Sequence, residues 1–437
     1  MSSDTVVVKF GGAALGHLPE VTRYVRTARH EEVGLVVVVS ARRGVTDLLL
    51  DALNHPRGKR EHRTLRPRLE QLHPDLPPAG IAHLTRVDDL LRQVERHYPK
   101  DLPLADRLLS QGERLAVHWL ASHLEAEGIP AVPVEADRLG LVTDNGYGAS
   151  LVLFDRSRRP VRKRLGRLLE QGKVPIVTGF FGRSLEGRVA ILGRGGSDYS
   201  ASAIGAILHA PRVELVKSEA AVLSADPRQV PGARPIEKLS YEEAEELAQF
   251  GAKILHPLTI EPARREGVEI WVRSLESPSV VTRIMRRDSA QHARAITLLD
   301  PLRLLRVRVA GGRQRPGIIA AVTNRLASAR LNLIALFTSA ALLSLLLHPA
   351  ESRTARQVLA PVLKTSGAVL EGPLPVALVT AIGDGILADL GRIPPSILER
   401  VEGFSATSRS VSLAVPHTYG ISSLRGLHAA LVEENHR

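Results

Sequence analysis

V-A-I-L-G-R-G-G-S-D-Y-S-A-S-A-I-G-A, residues Val189 to Ala206, is the stretch on which the reading of this chain turns. An apolar run short enough for a buried strand leads into Gly193, Gly195 and Gly196, and a small-residue helix follows, beginning near Ser200. Strand, glycine turn and helix N-terminus together make an anion site. Glycines let backbone N–H groups approach a phosphate, and the helix end adds roughly half a positive charge. Ser197 and Ser200 offer hydroxyls, Arg194 a two-pronged cation, and Asp198 a carboxylate able to hold a lysine. The spacing is neither that of a Walker loop nor that of the dinucleotide fingerprint. Alone, such a turn serves packing as readily as binding, so a second site is needed.

That second site lies at the N-terminus. Thr5 to Phe10 (T-V-V-V-K-F) reads as a first strand stopped by Gly11 and Gly12, with a helix behind it carrying Val21, Tyr24 and Val25. A lysine ending a strand is usually solvated, but Lys9 faces a glycine pair, where an ammonium is placed to neutralise phosphate. Gly34 to Ser40 (G-L-V-V-V-V-S) is a second strand, apolar throughout as parallel strands are. Ser40 and Thr46 therefore sit at a strand's C-terminal end, where open α/β sheets keep their ligands.

From Asp51 to about Pro103 the pattern is helical and basic, the signature of a solvated face. His55, His62, His73 and His83 lack ligand spacing, so no metal site is expected. Leu108 to Leu124 reads as one helix holding Glu113, for which an exposed glutamate beside an arginine is the bland alternative to a functional role. Short strands follow at 131–134 and 175–180, with a basic helix at 156–171 between them, and more strands at 213–216 and 268–273. Ser240 and Glu243 form a capping box that starts a helix reaching Phe250. This alternation predicts an α/β fold, a mostly parallel three-layer (αβα) sandwich. Residues 1–280 form that domain, 281–300 a linker, and 301–372 and 373–437 two βαββαβ, ferredoxin-like modules.

Composition narrows the function. A chain of 437 residues with 44% hydrophobic and 24% charged residues is an ordinary globular protein of several domains. The net charge of +12 invites nucleic acid as partner. However, the arginines are scattered, aromatics make up 3%, and no nucleic-acid-binding motif appears, so a basic surface for anionic substrates is the better reading. The absence of cysteine excludes disulfides, a thiol nucleophile and thiolate metal sites. No signal-peptide pattern and no membrane-length apolar run appear, so no membrane partner and a cytoplasmic location are expected.

Lys9-Phe10-Gly11-Gly12, Val39-Ser40-Ala41 with Gly44-Val45-Thr46, and Gly193-Arg194-Gly195-Gly196-Ser197-Asp198-Tyr199-Ser200-Ala201 resemble motifs of the aspartate kinases of the amino-acid kinase superfamily. So do Ala225-Asp226-Pro227-Arg228 and Gly251-Ala252-Lys253-Ile254-Leu255-His256-Pro257, and the tail is similar to that family's tandem ACT regulatory domains. The resemblance implies ATP-dependent phosphorylation of the β-carboxylate of L-aspartate, giving 4-phospho-L-aspartate for lysine, threonine and methionine synthesis. It makes Lys9 and Asp198 catalytic, and Thr46, Glu113, Arg194 and Ser197 substrate-binding. Gly11, Gly12, Ser40, Gly195, Gly196, Ser218, Arg228 and Lys253 would hold the nucleotide. Mg²⁺ would arrive on ATP phosphates with no protein metal site of its own. A homodimer or dimer of dimers, with lysine or threonine as effector at the ACT modules, completes the expectation.

Two stretches depart from the family pattern. Lys217-Ser218-Glu219-Ala220-Ala221 stands where the family reads Thr-Asp-Val-Asp-Gly, and Ala13-Ala14 replaces Thr-Ser after the first glycine pair. Each hydrogen bond lost to a charged group costs roughly 1.5–3 kcal/mol, unless Lys217 and Glu219 compensate. The altered loop keeps two other readings open: an amino-acid kinase with a changed donor or acceptor, and a non-catalytic amino-acid sensor.

Overall fold

Runs of valine build the centre of the first sheet. In the computed structural model, residues 5–31, 34–55, 59–97, 101–219, 221–251, 255–286, 292–309 and 317–434 are described. They fall into two compact units. The first comprises Met1–Val222, Pro235–Glu245 and Lys253–Asp288, and the second Leu223–Arg234, Glu246–Ala252 and Ser289–Arg437.

The strands of the first unit are β1 (Thr5–Phe10), β2 (Gly34–Val39), β3 (Ala131–Val134), β4 (Val174–Thr178), β5 (Phe181–Arg183), β6 (Val189–Ile191), β7 (Arg212–Lys217), β8 (Lys238–Ser240), β9 (Glu269–Ser274) and β10 (Thr282–Met285). Eight of them form one sheet in the order β3-β4-β2-β1-β7-β9-β10-β8, while β5 and β6 make a separate hairpin. Every pairing in the large sheet is parallel except β9 with β10. Each residue of β1 and β2 is buried, as strands covered on both faces must be.

Alternation along the strands sorts their side chains between two layers. Val6, Val8 and Phe10 join Leu35, Val37 and Val39 in a core with Ala116, Val117, Leu120 and Leu124 of the helix Gln111–Ala126. The other face of β1 meets the helix Gly196–Leu208, which is buried along all 13 of its residues. Its glycines, serines and alanines let neighbours approach; a Cβ on Gly205 would lie 2.3 Å from a methyl of Val213. Lys9 has the parity of Val7, so it points toward the layer that carries this buried helix.

Several boundaries differ from the expectation. The buried helix begins at Gly196 rather than near Ser200, because Gly195 takes a left-handed φ of 70° and turns the chain immediately. The helix foreseen over 108–124 is two, Leu102–Leu109 and Gln111–Ala126, and the first starts earlier because the Asp101 carboxylate accepts the Leu104 N–H at 3.0 Å. The stretch read as a linker contains Thr282–Met285, which pairs with β9 and β8, and the start of a 15-residue strand.

In the second unit β11 (Ala295–Val309), β12 (Ala335–Thr338), β13 (Leu342–Leu347), β14 (Ala368–Ile382), β15 (Gly403–Ala406) and β16 (Ser410–Pro416) form one sheet in the order β12-β13-β11-β14-β16-β15. The two modules are therefore not consecutive beads. The far half of β11 and the near half of β14 pair together and serve the first module, with helices Ile318–Ser328 and Pro349–Ser366. Ala295–Leu299, which the sequence placed in a linker, pairs with Leu378–Ile382 and so supplies the second module with a strand. Two cores result, one around Leu305, Val322, Leu345 and Leu359, the other around Ile296, Val379, Leu413 and Leu427. Among the described residues, no helix is long and apolar enough to cross a membrane.

The capping box is present in both directions: the Ser240 N–H donates to the Glu243 carboxylate at 2.8 Å, and the Glu243 N–H donates to the Ser240 hydroxyl at 3.1 Å. Ser240→Ala should lower stability by about 1–2 kcal/mol, read as a shift of the urea unfolding midpoint. A midpoint unchanged from wild type would show that the cap contributes nothing.

Candidate active site

Three strands and one helix converge at the C-terminal edge of the parallel sheet. β1 ends in Lys9-Phe10 before Gly11-Gly12, β2 ends before Ser40, β7 ends at Lys217, and the buried helix starts at Gly196. Between them lies a cavity of about 390 Å³ lined by Lys9, Ser40, Thr46, Glu113, Gly193, Arg194, Gly195, Gly196, Ser197 and Asp198, with Leu50, Leu109, Phe180 and Ile191 as its apolar wall. The glycine turn and the N-terminal lysine, separated by almost 190 residues of chain, therefore do face one cavity.

Asp198 sits in the first turn of the helix, where the aligned peptide dipoles favour a negative charge. Its two oxygens are taken by two lysines: Lys9 Nζ lies 2.6 Å from Oδ1 and Lys217 Nζ lies 2.7 Å from Oδ2. Burial alone would raise this carboxyl, yet the Lys217 and Lys9 ammonium groups outweigh it and hold it well below the usual carboxylate range. Lys9 on Asp198 is the pairing expected from the resemblance. Lys217 on the same carboxylate is new, and it comes from the loop that departs from the family pattern.

Glu113 is the opposite case. It is not an exposed glutamate beside arginine; it is 3% exposed and lines the cavity. The Ala41 N–H donates to its Oε1 at 2.9 Å, while Oε2 is buried with no hydrogen-bond partner among the described residues. Burial pushes the group up to about 8, against the opposing effects of the Ala41 N–H and the Lys9 charge. A buried carboxyl with one free oxygen facing a cavity is a receptor for a cation.

The loops are packed backbone against backbone. A Cβ on Gly12 would stand 2.4 Å from the Ala41 carbonyl oxygen, so only glycine allows the first loop to lie this close to the second. The Gly11 N–H donates to the Val216 carbonyl at 3.2 Å, and the Arg43 N–H to the Gly12 carbonyl at 3.1 Å. The Ser200 hydroxyl, read as a ligand group, is spent internally: it accepts the Phe180 N–H at 3.0 Å and donates to the Gly196 carbonyl at 2.7 Å. That bond helps hold Phe180 at φ 73°, an uncommon conformation for a residue with a side chain, on the cavity wall.

Of the expected site residues, Lys9, Ser40, Thr46, Glu113, Arg194, Gly195, Gly196, Ser197 and Asp198 line the cavity, and Gly11 and Gly12 follow directly from β1. Arg194 is exposed on its rim. Ser218 is exposed, its hydroxyl donating to the Glu219 carboxylate at 2.7 Å, and it does not line the cavity. Arg228 belongs to the second unit, where its guanidinium grips Asp226 at 3.0 and 2.7 Å, and it does not line the cavity either. Lys253 lies outside the described residues. Sequence reasoning missed Phe180 and the apolar wall, for which a hydrophobic pattern carries no signal separate from core.

Residues 4–274 match the amino acid kinase family model. An aspartokinase from Thermus thermophilus is 29% identical over 445 residues, which is 97% of this chain and 98% of that protein. An aspartokinase from Geobacillus stearothermophilus is 28% identical, covering 98% of each. The crystal structure of E. coli aspartokinase III in complex with aspartate and ADP superposes with a TM-score of 0.82 at 24% identity, over 98% of this chain and 99% of that one.

Because Glu113 titrates near 8 in the folded chain and near 4.5 when unfolded, the folded state holds the extra proton between those values. Stability from this group is present below about pH 4.5 and is lost as pH rises toward 8. Glu113→Gln should remove that dependence, so its melting temperature relative to wild type rises from pH 5 to pH 8. A difference that stays constant across this window would show that Glu113 ionises normally.

Proposed function

The chain belongs to the amino acid kinase family, and from that premise we propose that it is an aspartate kinase, transferring the γ-phosphoryl group of ATP to the β-carboxylate of L-aspartate. A carboxylate oxygen attacks the γ-phosphorus, the bond to the β,γ-bridging oxygen breaks, and 4-phospho-L-aspartate and ADP leave. This is the first step toward lysine, threonine and methionine. Two anions must meet, so the protein's task is positioning and charge neutralisation. The observation that carries the reading is the pair of ammonium groups on Asp198 at the wall of a cavity whose opposite chemistry is an unpaired buried carboxyl.

Each residue has a matching task. Lys9 neutralises charge growing on the transferred phosphoryl, and Asp198 orients it. Ser40 and the backbone of Gly195, Gly196 and Ser197, which line the cavity, would cradle phosphates with Gly11 and Gly12, whose loop packs against Ala41 as only glycine permits. Arg194 can take the α-carboxylate of aspartate through two parallel hydrogen bonds. Glu113 receives the α-ammonium, whose arrival favours loss of the carboxyl proton; Thr46 contacts the same substrate. Ser218, Arg228 and Lys253 remain candidate nucleotide contacts. Asp198 is already engaged by lysines, so Mg²⁺ would be held mainly by ATP oxygens and water, and it would supply further neutralisation.

The division into a catalytic unit and a pair of ACT-like modules, with lysine or threonine as effector and assembly as a homodimer or dimer of dimers, belongs to the same proposal. The ferredoxin-like order of the second sheet supports the pair of modules.

Trapping the acyl phosphate with hydroxylamine, using L-aspartate and Mg-ATP, tests the activity. Lys9→Ala should lower kcat by about 10²–10³, the cost of one lost group on a developing charge. Arg194→Ala should raise KM for aspartate more than it lowers kcat. No trapped product from the folded wild-type chain would sink the proposal, as would full activity in both variants.

A further inference from the structure

We propose that His83, His118 and Glu135 form a binding site for a divalent transition-metal ion of the zinc class, separate from the cavity that Lys9 lines. His83 lies on the helix Pro78–His97, His118 on the helix Gln111–Ala126, and Glu135 directly follows β3. None of the three lines the kinase cavity. Their ligand atoms all lie within 4.8 Å of one another. His83 Nε2 is 3.2 Å from Glu135 Oε1, and His118 Nε2 is 3.8 Å from the same oxygen. Around a tetrahedral zinc with bonds of about 2.0–2.1 Å, neighbouring donor atoms stand roughly 3.3–3.5 Å apart. The His83–Glu135 pair is close to that spacing and the His118–Glu135 pair a few tenths of an ångström wider, so a small rearrangement would let the three share an ion.

Hydrogen accounting gives the second argument. The Gln111 Nε2 amide donates to the Arg107 carbonyl at 2.9 Å, which turns Gln111 Oε1 toward His83 Nδ1 at 3.0 Å. An amide oxygen can only accept, so Nδ1 carries the ring hydrogen. A neutral imidazole has no second hydrogen, and its Nε2 lone pair then points at a carboxylate oxygen. Two lone pairs 3.2 Å apart repel unless a positive charge lies between them. A metal ion held by both rings and the carboxylate would supply that charge.

The surroundings are those of a supported site. Gln111 fixes the His83 ring as an outer partner fixes a metal-bound histidine. Glu135 Oε2 is held by Arg114 and, at 3.3 Å, by Arg138, so Oε1 is left turned toward the imidazoles. Those guanidinium groups also raise the local positive potential; Asp137, paired with Arg114 at 2.8 Å, offsets part of it. His118 and Glu135 open onto a cavity of about 650 Å³, which provides an entry path and a fourth ligand from water. Two nitrogens and one carboxylate oxygen suit Zn²⁺, Co²⁺ or Ni²⁺ better than Mg²⁺.

The test uses tag-free, chelator-treated full-length protein loaded with zinc chloride or cobalt chloride. One zinc per chain should survive gel filtration by elemental analysis, and cobalt should give the intense visible bands of a four-coordinate ion. His118→Ala, at the least buried ligand, and Glu135→Gln should each weaken zinc binding at least tenfold, with metal-free melting within a few degrees of wild type. If one variant does not fold, the other decides. No retained zinc, or equal retention by wild type and both variants, overturns the proposal.

Discussion

One buried carboxylate shared by two lysines organises the active site. Asp198 is 7% exposed, and an isolated charge there would be costly. With an ammonium on each oxygen it is instead the group that keeps two cations close together at the wall of the cavity. The three residues come from chain positions 9, 198 and 217, and sheet pairing is what assembles them. β1 and β7 are parallel neighbours with Phe10 opposite Val216, so Lys9 and Lys217 leave adjacent strand ends on the same face. The buried helix packs on that face and presents Asp198 from its first turn.

The packing around this trio explains why the loops contain so little side chain. Gly12 against the Ala41 carbonyl and Gly179 against Ser197 are contacts at which any Cβ would collide with backbone or a neighbouring Cβ. Part of the backbone is spent holding the loops themselves: the Gly11 N–H donates to Val216 and the Gly196 N–H to Gly193. Lys217 fits into this arrangement because Asp198 has a second oxygen to offer. A stretch that departs from the family pattern thus contributes a cation to Asp198.

The second unit follows a different logic. Its sheet is continuous because β11 and β14 are each 15 residues long and pair along most of their length. One half of each strand serves each module, and each half is packed under its own helices. The first module is in effect inserted into the second, between two strands of the same sheet. Sliding one module past the other would require breaking the β11–β14 hydrogen bonds that both share.

Local pattern alone was enough for the valine-rich strands at 5–10 and 34–39, the capping box at Ser240 and Glu243, and the glycine turn at 193–196 that leads into a helix. In each case the information lies within a few consecutive residues: continuous apolar runs, a serine three residues before a glutamate, glycines that must take left-handed backbone. The motifs also placed Lys9 and Asp198 together, through resemblance rather than spacing. What the chain could not disclose by itself were quantities set by distant neighbours. Glu113 reads as a surface residue because nothing adjacent reveals that Ala41 and the sheet will bury it. Ala295–Leu299 reads as linker because its partner strand lies more than 70 residues away. His83, His118 and Glu135 have no motif spacing, since two helices and a strand end had to pack before their nitrogens and oxygen could meet. Secondary structure is written in short-range periodicity, whereas burial, ionisation and convergence of charge exist only once the layers have closed on one another.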